Sequence, residues 1–439
     1  MTRNLREPVV LAALKRRIGS GLSRATVIVA AFCGLGGSAG ADWPEFRGPT
    51  GQGIADATGL PVNWSEESNV AWKVPLEGLA WSSPVIVDGR IYLTNAVEIG
   101  PQHYSLRAIC LKASSGEIVW TVEVFEQEGA VEIHRTNSHA SPTPIVEDGK
   151  VYVHFGPHGT ACLTTDGEVL WRMALEYLPV HGNGGSPASA GDLLIISCDG
   201  RDKQFVVGIE KATGEERWRT PRDTNPVKGF SFSTPLIIEA GGRRQAVCPG
   251  SDAVFAYDPA TGEQLWRVDY TGGFSVVPRP AFAGGLVFVC TGFGTPKLMA
   301  IDPTGTGNVT DTHVRWEIKR GAPHNPSPLP VGDELYFLSD QGVATCVDVQ
   351  TGEEHWQERL GGQFWASPLY ADGKIYFQDQ HGGSVVVKAG TEFVELARNQ
   401  LGAGERSFAS YGVVDGALFI RTEEALYRVE ESAAAVESQ

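Results

Sequence analysis

Positive charge is scarce in this chain. Lys and Arg number 36 against 52 Asp and Glu, for a formal net charge of −16. A domain this acidic repels nucleic acid and anionic membrane surfaces, so neither is expected as a partner. A membrane-spanning segment is missing too: the apolar run ATVIVAAFCGL near the N-terminus is too short to cross a bilayer. There is no G-x-S-x-G elbow, no glycine-rich phosphate loop and no acid pair that stands apart from the rest. Nucleophilic catalysis and phosphoryl chemistry therefore have no support, and no catalytic residue is assigned.

What is present is a repeat. ASSGEIVW ends at Trp120, TTDGEVLW at Trp171, KATGEERW at Trp218, PATGEQLW at Trp266 and VQTGEEHW at Trp356, with a stretched copy ending at Trp316 and an upstream cousin carrying Trp72. The intervals are 48, 51, 47, 48, 50 and 40 residues. Such a period, filled with short strands, marks a β-propeller. In the stretch from Ser82 to Trp120, PVIV, RIYLT, SLRAICLKA and EIVWTVE read as four antiparallel strands. Asp88-Gly89 and Ser115-Gly116 are the hairpin turns. Blade openings recur near Pro84, Pro144, Pro187, Pro235, Pro280, Pro328, Pro368 and Tyr411. The last unit has only three strands, and NVAWKVPL at the other end of the chain can supply the fourth. The expected fold is all-β: an eight-bladed propeller of four-stranded antiparallel blades, closed by an N-terminal strand that leaves no open edge. The seven repeated tryptophans are expected to be structural, packing between blades.

Residues 1–41 differ from the rest. A basic stretch, the short apolar run and Ala39-Gly40-Ala41 read as an export signal cleaved before Asp42. Leaving out its six cationic and one anionic side chains moves the formal charge from −16 to −21. Phe32 before Cys33 is too large for a lipidation signal. Residues 42–68 are expected to pack on the ring as an extension, 69–430 to form the propeller and 431–439 a polar tail. Cys110, Cys162 and Cys346 fall where other blades carry Gly208, Ala256 and Ala300, a position that wants a small side chain. The six cysteines beyond residue 41 are expected to be mostly free thiols.

Hairpin turns lie on one face of a propeller and the connections between blades on the other. The longer stretches 95–105, 124–141, 176–186 and 222–233 read as loops of that second face, where binding residues concentrate. The residues three before each opening form a ring at the channel mouth: Trp81, Ser141, Gly184, Phe232, Val277, Asn325, Trp365 and Phe408. Trp81, Phe232, Trp365, Phe408, His139 and Asn325 are the candidate ligand- or partner-binding residues. An apolar funnel of this kind suits a peptide, a glycan or a flat ligand; the competing reading is that the rings pack on one another. Histidines also gather on this face, and His134, His139, His158 and His181 are weak candidates for metal ligands. No metal is assigned.

The A-x-T-G-x-x-x-W repeat resembles that of the pyrroloquinoline-quinone-type propellers, the quinoprotein alcohol dehydrogenase-like superfamily. The opening DWPEFRGPTGQG followed by NVAWKV is similar to secreted propellers of planctomycete-type bacteria. One branch of the superfamily implies a dehydrogenase with the quinone lying over calcium in the channel, and in some members an adjacent cysteine pair. This chain has no Cys-Cys. The other branch, the propeller of the outer-membrane β-barrel assembly machinery, implies a periplasmic scaffold without a cofactor. The resulting expectation is a periplasmic or secreted, non-catalytic binding or scaffolding protein whose partner is an envelope protein or peptide. A small dehydrogenase using pyrroloquinoline quinone and calcium is the alternative, and a carbohydrate-binding module the third reading.

Overall fold

The computed structural model describes residues 42–402 and 404–432. The export signal expected over 1–41 and the tail beyond 432 lie outside these residues. Eight antiparallel sheets of four consecutive strands follow one another along the chain. Blade one is made of Val85–Val87, Arg90–Gly100, His103–Lys112 and Ile118–Glu128. The first hairpin turns are two-residue turns, in six of the eight blades with both φ angles positive, as at Asp88 and Gly89 (+50° and +69°), which matches the twist of the strands they join. Second and third strands are almost wholly buried, as in Lys150–His154 and Thr160–Thr164, whereas fourth strands such as Val169–Met173 are buried only on alternate residues. That is why the middle strands read as continuous apolar runs and only the outermost ones alternate.

The repeated tryptophan joins most blades to the next. Its indole Nε1 donates to a backbone carbonyl at the start of the neighbouring turn: Trp120 to Thr165, Trp171 to Lys211, Trp218 to Pro259 and Trp316 to Val349, at 2.9–3.2 Å. The ring lies on the glycine of that turn. A Cβ on Gly214 would come within 2.6 Å of Trp171, and one on Gly262 within 2.4 Å of Trp218. These glycines also have positive φ, +77° and +74°. On its own sheet each tryptophan faces a small residue: Cys110 opposite Trp120, Gly208 opposite Trp218, Cys346 opposite Trp356. The six cysteines in the described residues are buried and free.

The blade with the stretched repeat departs from this pattern. An added strand, Gly307–Asn308, pairs in parallel with Gln264–Asp269, and a four-residue helix, Thr310–His313, follows it. Trp266 is consequently fully buried and donates to Gln245 Oε1 at 2.6 Å instead.

Val70–Pro75 pairs antiparallel with Ala425–Glu430 and completes the eighth blade. Trp72 thereby carries the same clamp across the junction, to the carbonyl of Ala113 at 3.2 Å. The buried Arg421 of blade eight adds bonds to Ser82 Oγ at 2.6 Å and the Thr94 carbonyl at 3.1 Å.

One expectation needs correction. Residues 95–105 are not a loop: Arg90–Gly100 and His103–Lys112 stay paired as far as Gly100 opposite His103, and the outer strand runs on to Glu128. Ala96, Leu106 and Val124 share one apolar cluster along this extension, which prolongs the sheet instead of ending it.

Residues 42–55 run along the innermost strands. Trp43 exchanges backbone hydrogen bonds with Ile86 at 2.7 and 2.9 Å, the Pro44 carbonyl accepts from Val146, and Ile54–Ala55 pairs in parallel with Leu369–Ala371.

Removing the clamp from one blade tests its weight. Trp218→Ala is expected to cost about 3 kcal/mol of stability, the low end for a buried aromatic because the ring edge is partly exposed. Gly262→Ala alone should destabilise strongly, and less in the Trp218→Ala background, where the strain of its positive φ and the approach to Thr220 Oγ1 at 2.9 Å remain. Chemical denaturation of the four proteins measures this, and additive effects would contradict the clamp.

Candidate functional site

All eight residues read as the mouth ring line a single cavity of about 330 Å³ at the inter-blade-loop end of the channel. Trp81, Phe408 and Trp365 form one wall. Phe408 lies 4.6 Å from Trp81 and 4.9 Å from Trp365 between ring centroids, the latter pair nearly parallel at 20°. The Arg406 guanidinium sits over Trp81 at 5.4 Å. Phe232 belongs to a second aromatic group opposite, with Phe230 at 6.0 Å and Phe274 beyond it. Packing of the rings on one another and lining of a cavity thus occur together. Trp81 is 6% exposed, and its Nε1 has no protein acceptor. Such a buried donor is costly to leave unpaired.

The loops that shape the mouth are bonded to one another. Asn137 Nδ2 donates to the His181 carbonyl at 2.8 Å, and the Ser275 amide to the Phe230 carbonyl at 2.9 Å. His181 and Ser275 both hold positive φ, +62° and +52°, an uncommon conformation for non-glycine residues. At the base of the 222–233 loop, Arg222 makes a buried two-pronged pair with Asp199 at 2.7 and 3.0 Å.

Beneath the mouth lies a second ring that the sequence reading missed. Ser83, Thr143, Ser186, Thr234, Ser327, Ser367 and Ser410 stand two residues after the mouth positions and also line the cavity. Each accepts, at 2.9–3.1 Å, the backbone N–H of the residue at the same position one blade earlier, in seven of the eight steps round the channel. The signal was there: the residue before the opening proline is Ser or Thr in six of seven blades, with Ser410 before Tyr411 in the eighth. Phe46 reaches the cavity from the N-terminal segment.

The candidate histidines divide into two pairs. His134 and His181 line the cavity and meet edge-on at 5.2 Å. His139 does not line it; its ring packs on Tyr104 at 4.2 Å. His158 sits in the single turn Gly156–His158, away from the cavity lining. Asn325 lines the cavity, but its amide is engaged by Asp340. Among the described residues, the group of three whose ligating atoms approach within 4.8 Å is a different one, His103, Glu126 and Glu128. Apart from His134 and His181 the lining carries no titratable side chain. His134 is held below the ordinary imidazole range by burial and by the neighbouring His181 and Arg135.

The sequence from residue 64 to 391 matches, in three overlapping stretches (64–248, 202–327 and 308–391), the family described as outer membrane protein assembly factor BamB. The chain belongs to this family. Its fold is similar to that of BamB from Moraxella catarrhalis, with a TM-score of 0.59 at 13% identity over 83% of this chain and 98% of that one. It is also similar to quinohemoprotein alcohol dehydrogenase from Comamonas testosteroni, with a TM-score of 0.62 at 13% identity over 89% and 81% of the two chains. In sequence it is 29% identical over 164 residues to methanol dehydrogenase subunit 1 of Methylorubrum extorquens, covering 31% of this chain and 24% of that protein. The matches span between 21% and 36% of the length of the curated relatives.

The dehydrogenase relatives raise the question whether this cavity suits a quinone on calcium. Calcium takes oxygen ligands, with carboxylates prominent, and a quinone bearing carboxylates needs cationic partners. The lining contains neither Asp or Glu nor Lys or Arg, and the ring hydroxyls already accept backbone N–H groups. The residues present do not fit that pair.

Burial in blade two predicts acid sensitivity. It pushes His139 down to about 4 and His154 to about 3, and lowers His158 as well. These imidazoles stay neutral in the fold while the unfolded chain takes up protons from about pH 6.5 downward. Stability is therefore complete above that pH and falls as the pH drops below it. The thermal midpoint should decline between about pH 6.5 and 5, and His154→Asn should flatten that slope; an unchanged slope would contradict the assignment.

Proposed function

We propose that this protein is an exported, non-catalytic binding or scaffolding propeller that takes an uncharged, apolar segment of an envelope protein or peptide into its mouth cavity. The observation that carries the reading is the lining itself. Two aromatic walls face each other over a hydroxyl ring, and no carboxylate, ammonium or guanidinium lines the cavity itself; Arg406 and Lys228 sit over the Trp81 and Phe274 rings. A charged ligand would be desolvated there without a partner, whereas an apolar side chain gains from burial. Membership of an assembly-factor family supports a protein partner and an envelope location.

The carbohydrate reading is weaker. Sugar stacking needs a free ring face, and the nearly parallel packing of Trp365 on Phe408 occupies one face of each. The dehydrogenase reading is weakened by the uncharged lining.

Panning a library of neutral apolar peptides against the chain from Asp42 onward, followed by titration calorimetry, tests this. Trp81→Ala and Trp365→Ala should each weaken binding about tenfold, roughly 1.4 kcal/mol. Undiminished binding by both variants would sink the site assignment. Tight, calcium-dependent uptake of pyrroloquinoline quinone with alcohol oxidation would support the dehydrogenase reading instead.

A further inference from the structure

The hydroxyl ring has one gap. At the eighth position blade five carries Arg279, which is 2% exposed. Its backbone N–H keeps the pattern and donates to Ser327 Oγ at 3.0 Å, but its side chain offers no hydroxyl to the blade before it. The guanidinium instead turns to the N-terminal segment: Nη1 donates to the Phe46 carbonyl at 2.6 Å, Nη2 lies 3.4 Å from Glu45 Oε2, and Nε donates to the Pro235 carbonyl at 3.1 Å. One side chain thus ties blades four and five to the segment that reaches the cavity.

The segment is shaped around that contact. A Cβ on Gly51 would come within 2.5 Å of the Arg279 guanidinium, and one on Gly48 within 2.4 Å of the Trp43 ring. Arg47, buried and at φ +67°, donates to the Pro328 carbonyl at 2.9 Å on blade six. Gln52 accepts from Phe282 on blade five, and the Gly53 carbonyl from Tyr370 on blade seven. Residues 43–53 are thereby bonded to the inner strands of blades one, two, five, six and seven, and Phe46 is the one residue among them that lines the cavity.

We infer that Arg279 is the positioning residue that makes the channel blind, holding Phe46 as the floor of the cavity. The site then admits a protruding apolar side chain or a chain end from the loop face and does not let a polymer thread through. The ligand-depth part of this inference rests on the cavity being the binding site; the anchoring part does not.

Hydrogen exchange by mass spectrometry on the chain from Asp42 onward tests the anchor. Arg279→Ser, which restores a hydroxyl at the gap, should speed exchange across residues 43–55 at least tenfold while blade strands away from the segment keep their protection. The neutral dye N-phenyl-1-naphthylamine serves as the cavity probe, and its affinity should fall about tenfold. Arg279→Lys, which keeps the charge but cannot reach both the Phe46 and Pro235 carbonyls, should lie between the two, and it reads the same exchange should R279S fail to fold. Unchanged exchange in the folded variants overturns the anchor. A loosened segment with undiminished dye affinity overturns Phe46 as the floor. Failure of the unsubstituted chain to bind the dye counts against the cavity reading alone, with the exchange result still deciding the anchor.

Discussion

The structure depends on one contact made repeatedly: an indole ring of one blade lying on a turn glycine of the next, with its N–H bonded to the same turn. A single four-stranded sheet cannot bury its two faces, and in a ring each blade covers the next. The clamp sets the distance and angle of that cover. It also explains the form of the repeat, in which glycine is required by both positive φ and the lack of room for a Cβ, and a small residue is required opposite the indole. Closure by Val70–Pro75 carries the clamp across the closing junction, so that Trp72 does for blades eight and one what Trp120 does for blades one and two.

Inside the clamp circle runs a second one of hydroxyls and backbone amides. The two have different consequences. The outer circle is apolar and holds the ring together; the inner one satisfies the backbone N–H groups just before the first strands, which face the channel and have no neighbouring strand at that point. With those groups paired, the channel wall can be neutral and largely apolar. The mouth aromatics add to this, and although Arg406 and Lys228 sit over the Trp81 and Phe274 rings, no charged side chain lines the cavity itself, which separates it from one built to hold a metal ion and an anionic cofactor.

The fold was legible because its signals are local and repeated. Two-residue turns, strand lengths and the Thr-Gly…Trp spacing recur in blade after blade, and even the missing eighth fourth strand could be found at the other end of the chain. The mouth ring was legible for the same reason, since a fixed offset from each opening places one residue per blade at the same height. Where a position departed from the pattern, the reading failed. The 95–105 stretch looked like a loop because its polar and glycine content hid a sheet extension. His139 and His158 shared a face with His134 and His181 but not a cavity, because a face is a property of connectivity and a cavity is a property of side-chain direction.

The sequence by itself therefore determined the number of blades, their strand order, the closing strand and the ring of residues nearest the channel mouth, since each follows from periodicity and turn chemistry within about fifty residues. Only the tertiary structure decided that the mouth residues enclose one uncharged cavity, that seven hydroxyls form a circle beneath it and that Arg279 breaks this circle to hold Phe46. Those are contacts between residues as much as 327 positions apart, and no local pattern specifies which distant segment will fill a channel that all eight blades must first assemble.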